Sequence, residues 1–142
     1  MDSLQISTGE KRIAINGDEK RVLVFNPSDV AFAERFYRLI GDFQTKLLEY
    51  KTRAESIEAQ MAEDENGLPV NLNERLALMN DACVYIRGKI DELFGAGTSQ
   101  TVFGDALQLD MFTQFFEGIT PFIQKSRVAK LEKYTNPKAK KR

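Results

Sequence analysis

The chain has 142 residues, 42% of them apolar and 29% charged, with 20 Lys and Arg against 21 Asp and Glu; that suffices for one packed domain and is too short for two ordinary ones. It holds no His and one Cys, which excludes a histidine base, a histidine-ligated metal and an internal disulfide. The start, Met1 to Gln5, has no signal-peptide pattern, and no apolar run is long enough to span a membrane, so the expectation is a soluble intracellular protein.

The first 25 residues read as strands. Arg12–Ile15 and Arg21–Phe25 flank Asn16-Gly17, two residues that tolerate positive φ, and predict a small β-hairpin. Asp18–Arg21 either lengthens the loop or enters the second strand. Leu4–Ser7 is expected to pair as a third strand across Thr8-Gly9. A hairpin alone is marginal in water, so its apolar face should lie on helices.

Asn26-Pro27-Ser28-Asp29 predicts a helix start, with Asn26 as cap and Pro27 at the first helical position. Apolar residues then fall at Ala33, Phe36, Ile40, Phe43, Leu47, Tyr50, Ala54, Ile57 and Met61. Alternating steps of three and four make a heptad seam, the mark of helices packed nearly parallel. A helix from Pro27 to about Ala62 is expected. Asp64–Pro69 breaks it as a loop, and Asn71 with Glu74 offers a capping box. A second seam follows at Leu72, Leu76, Met79, Cys83, Ile86, Ile90 and Leu93, so the two helices should fold back as an antiparallel pair. Cys83 lies on that seam and reads as a buried small apolar side chain.

Gly95-Ala96-Gly97 ends the second helix, and Thr98–Gly104 forms a turn or short helix. A third long helix, about Leu109 to Tyr134, carries Leu109, Phe112, Phe115, Phe116, Ile119, Phe122 and Ile123 on one broad face, with Gly118 and Pro121 expected to bend or interrupt it. The predicted fold is mainly α: an antiparallel bundle of three long helices and a short one, with the hairpin at the N-terminus. One domain is expected over residues 1–134, the hairpin occupying 1–25 and the bundle 26–134. Residues 135–142 are expected to form a basic, flexible tail. Residues 125–142 carry eight basic residues and one acidic, which leaves the body before them at a net −8. Lys138, Lys140, Lys141 and Arg142 thus form an electrostatic tail that either docks on an acidic partner or nucleic acid or simply keeps the chain soluble. No aromatic residue interleaves them, which argues against nucleic acid.

Catalysis finds no support in these residues. Nucleophile–histidine pairs are impossible, a Gly-Lys-Ser/Thr phosphate loop is absent, and Glu63, Asp64 and Glu65 lack the spacing of a calcium loop. The chain is therefore read as non-enzymatic, with no cofactor and no metal. Surface for binding remains. Phe112, Phe115, Phe116 and Ile119 read either as core or as a partner-binding groove. The outer half of the first helix, with Ala54, Ile57 and Met61 on its seam, is available for self-association if the second helix leaves it uncovered.

The order of features resembles a known family. Ile15-Asn16-Gly17, then Phe25 to Asp29 opening a helix, then Ile90-Asp91-Glu92-Leu93-Phe94-Gly95-Ala96-Gly97-Thr98, Val102-Phe103-Gly104 and an apolar helix from Leu109 resemble the small tail assembly chaperones of siphophages that infect Gram-positive bacteria. The resemblance implies a self-associating helical protein that binds the tape measure protein during tail morphogenesis, in the cytoplasm of the infected host. Its partners would be the tape measure protein, further copies of itself and possibly the tail-tube protein, with no membrane involved. It implies a contact surface at Phe112, Phe115, Phe116 and Ile119 with part of the first helix, and a basic tail that steers or joins copies electrostatically. Two other classes stay open: a phage-encoded inhibitor or modulator of a host protein, and a nucleic-acid-binding protein acting through its tail.

Overall fold

The computed structural model describes residues 1–58, 65–67 and 71–135. In chain order they form β1 (Lys11–Ile15), β2 (Asp18–Phe25), α1 (Val30–Glu58), α2 (Leu72–Phe94), α3 (Thr98–Phe103) and α4 (Leu109–Thr135). The protein is mainly helical, with a two-stranded antiparallel sheet at its N-terminus.

Asn16 and Gly17 both take positive φ, 53° and 75°, the paired left-handed geometry whose twist suits a two-residue hairpin turn. Register runs from Lys11 opposite Phe25 to Ala14 opposite Val22, then jumps so that Ile15 faces Asp18. Glu19, Lys20 and Arg21 therefore lie between paired positions, an irregularity that increases twist and re-aims side chains. The predicted third strand does not form. Residues 1–10 have no regular structure, and Leu4 and Ile6 are 82% and 73% exposed.

The start of α1 also departs from expectation. Asn26 Oδ1 accepts the Ser28 N–H at 3.0 Å, which makes a turn of Pro27 and Ser28 rather than a first helical turn. Asp29 caps instead, its Oδ1 accepting the Ala31 N–H at 2.9 Å. Helix α1 is described as far as Glu58, and residues 59–62 lie outside the described residues. At α2 the Asn71 side chain makes no cap hydrogen bond. Its amide donates to the Ile57 carbonyl in the last turn of α1, so it ties the ends of two helices together.

Between α2 and α3, Gly95 and Gly97 take φ of 121° and 87°, backbone that any side chain would strain. Asp91 holds the corner: its two carboxylate oxygens accept the Ser99 N–H at 2.7 Å and the Ser99 hydroxyl at 3.0 Å. Helix α4 runs unbroken through Gly118 and Pro121.

The core is aromatic. Phe25, Phe36, Phe43, Phe103, Phe112, Phe115 and Phe116 are buried, joined by Leu23, Cys83, Ile86, Ile90, Ile119 and Ile123. Ring pairs fix how α4 lies on the rest. Phe112 meets Phe43 at 6.2 Å, Phe116 meets Phe36 at 6.0 Å, and Phe122 meets Phe25 at 5.9 Å. Ser126 and Ser28 share a hydrogen bond of 2.7 Å. As α4 advances, its partners on α1 recede, so the two helices run in opposite senses.

Candidate binding surfaces

Phe112, Phe115, Phe116 and Ile119 are between 1% and 8% exposed. Phe115 touches Phe94 and Phe103 at 5.2 and 5.5 Å, and Phe116 lies 5.1 Å from Phe43. These four side chains form core, and only Phe115 and Ile119 also reach the wall of an open cleft. The physical reason is that α4 lays its broad face on β2, α1 and α3 at once.

What α4 does not cover is the outer end of the α1–α2 pair. Its first residue, Leu109, precedes Phe112 by one turn, so it stands near the level of Leu47; both are half-buried against the core. Helix α1 continues another eleven residues to Glu58, about 16 Å at 1.5 Å per residue. Along that stretch the seam residues Tyr50, Ala54 and Ile57 are half-buried. On α2 the seam residues Leu72 and Leu76 are exposed, Leu76 at 57%. Leu78, buried, lies beside Ile57 of α1, and Ala82 is buried a turn further on, so the pair holds together while its seam stays partly wet. Of the predicted self-association residues, Ala54 and Ile57 lie on this arm, and Met61 lies outside the described residues, as do Glu63 and Asp64. Lys138, Lys140, Lys141 and Arg142 lie outside them too.

A second open surface lies at the hairpin. Between β1 and α4 is an open cleft of about 240 Å³ with Ile13, Ile15, Met111, Phe115 and Ile119 in its walls. Arg21 fixes the opposite side of the hairpin: its Nε donates to the Thr101 carbonyl at 2.9 Å and its Nη2 to the Val102 carbonyl at 2.6 Å. Arg87 steadies the α3–α4 connection, donating to the Ala106 carbonyl at 3.0 Å and to Gln100 Oε1 at 3.2 Å.

For chemistry the described residues offer little. Cys83 is fully buried, and burial raises its thiol above the ordinary value, against a smaller lowering by the Arg87 guanidinium. A protonated, enclosed thiol is a poor nucleophile. Among the described residues no group of three or more His, Cys, Asp or Glu side chains could hold a metal ion. Nor is any described helix long and apolar enough to cross a membrane.

A family model matches residues 17–142, which takes in everything from the hairpin turn onward. The chain belongs to DUF6673, a family of unknown function. No curated protein and no solved structure matches it. The DUF6673 match includes both the α1–α2 arm and β2, and leaves out β1 and the residues before it.

Sequence reasoning placed the arm but not its true contacts. Leu72 and Leu76 had the heptad spacing of core residues and are exposed, while Leu78 and Ala82 of the same helix are buried. Arg21 and the Asp91–Ser99 pair had no sequence signal, since each joins residues whose nearness depends on the fold.

Proposed function

We propose that this chain is a non-catalytic, self-associating binding protein, a siphophage tail assembly chaperone that holds the tape measure protein in the cytoplasm of the infected bacterium. In this reading the three long helices act as an antiparallel bundle, and the basic tail steers copies together. The observation that carries it is the arm: two paired helices whose apolar seam, with Tyr50, Ile57, Leu72 and Leu76, runs on beyond the helix that buries it elsewhere. A stripe of this kind accepts the apolar face of another helix, read at spacings of three and four residues. The resemblance in the order of hairpin, helix start and Gly-Ala-Gly corner supplies the class of partner.

Co-expression with a long helical tape measure protein tests the proposal. Wild-type chain should keep that protein soluble and co-purify with it. Leu76→Glu, at a position already exposed, should fold normally and lose the co-purification. Retention of the partner by Leu76→Glu and Ile57→Glu alike would remove the arm from the reading, and failure of the wild type to bind would remove the chaperone.

A further inference from the structure

The first ten residues are all exposed, and two of them should not be comfortable there. Leu4 and Ile6 stand two apart in an irregular, unpaired stretch, and in an extended chain such residues project from one face. The chain is tied down just after them. The Thr8 carbonyl accepts a hydrogen bond from the Asn26 amide. Gly9 has φ of 76°, and a Cβ there would stand 2.9 Å from both Asn26 Oδ1 and Ser28 Cβ. Asn26 and Ser28 follow β2, so the segment leaves past the β2 side of the hairpin, away from the outer edge of β1. To pair with its own β1 it would have to cross back over the sheet.

The outer edge of β1 is the natural receiver. The sheet has two strands; Arg21 docks β2 on α3, and among the described residues no strand pairs with β1 on its other side. Such an edge presents unpaired N–H and C=O groups and readily takes another strand. Directly beside it lies the cleft whose walls include Ile13, Ile15, Met111, Phe115 and Ile119. Gly118 also lines it and has nothing within 4 Å of where its Cβ would be, so a backbone can come close to α4 there.

We propose that Leu4–Ser7 of one copy adds as a third strand to the outer edge of β1 in a second copy, with Leu4 and Ile6 entering its cleft. The donor segment and the acceptor edge are different surfaces, so the contact is head-to-tail and builds rings or open chains rather than closed pairs. The exchange does not depend on what the helical arm binds, and Leu76→Glu should leave it intact.

Two measurements on the full chain test it. Tagged Ile6→Cys protein is mixed with untagged Gln114→Cys protein under mild oxidation; Gln114 lines the cleft, and native Cys83 is fully buried. A mixed disulfide should form, and should be nearly absent when Glu74→Cys on the distant arm replaces Gln114→Cys. Light scattering across a concentration series should show mass rising for the wild type. Leu4→Asp with Ile6→Asp should weaken that association at least about tenfold, the scale expected when two aliphatic side chains lose their burial, with the melting temperature of dilute protein unchanged. An association indifferent to both substitutions, or a disulfide in the Ile6→Cys, Gln114→Cys double variant that closes within a single copy, would overturn the proposal.

Discussion

Arg21 sits in the irregular stretch of β2, yet its guanidinium satisfies two carbonyls in the last turn of α3. Carbonyls at a helix end have no partner of their own, and a cation there also meets the negative end of the helix dipole. Arg21→Ala should therefore cost about 2 kcal/mol of stability, allowing for the half-exposed side chain, and Arg21→Lys should recover only part of it because one ammonium cannot reproduce the fork. Urea unfolding of the three proteins checks the order. Cys83 gives a pH signature. Its thiol is raised in the folded state, so the folded chain keeps a proton that the unfolded chain loses above about pH 8.5. Stability is then full below that pH and falls as pH climbs through the folded-state value. In Cys83→Ala this decline should vanish, after a loss of about 1 kcal/mol at neutral pH from the small void left behind. Urea midpoints at pH 7 and pH 9.5 measure both effects, and an equal alkaline decline in the two proteins would contradict the assignment.

Two helices carry residues that weaken them. Gly41 lies inside α1, exposed, with nothing within 4 Å of the place a Cβ would take. Gly41→Ala should raise stability by about 0.5–1 kcal/mol through backbone entropy alone. Pro121 is also exposed, and inside α4 it leaves the Glu117 carbonyl without its usual helical donor. The Thr120 hydroxyl bonds back to the Phe116 carbonyl at 2.7 Å in the same turn. Pro121→Ala should raise the thermal midpoint, by an amount equivalent to about 1–3 kcal/mol. A lower midpoint would mean that packing of Phe122 and Ile123 depends on the proline. The elements themselves were largely legible. The Asn-Gly turn, two heptad seams, the Gly-Ala-Gly corner and the helix from Leu109 all obey local rules that hold before any tertiary contact forms. The start of α1 was misread because Asn26 has two uses for its side-chain oxygen, a helix cap or a tight turn, and the proline beside it suits either.

At the scale of the whole molecule one ring connects most of the parts. Phe94 lies 6.1 Å from Phe25, 5.2 Å from Phe32, 6.3 Å from Phe36 and 5.2 Å from Phe115, so it joins β2, α1 and α4 to the end of α2. The ring is half-buried, so Phe94→Ala should cost somewhat less than a full core deletion, about 2–3 kcal/mol, still a large part of the roughly 5–15 kcal/mol that holds a domain folded. The variant should unfold at much lower urea by circular dichroism, whereas Leu76→Glu on the exposed arm should not. Phe94 falls one position after the seam residue Leu93, and the periodicity gave no reason to favour it.

From β1 onward the order and type of the elements, and the basic character of the final segment, were determined by the amino-acid sequence, because they follow from backbone preference and from spacing along a single helix or strand. Which apolar face ends buried was decided only in three dimensions. Phe112, Phe115, Phe116 and Ile119 had the composition of a contact surface and became core, while Leu72 and Leu76 had the spacing of core and remained in water. A stripe is buried only where a neighbouring element reaches it, and which elements meet is decided by the fold and not by spacing along one helix.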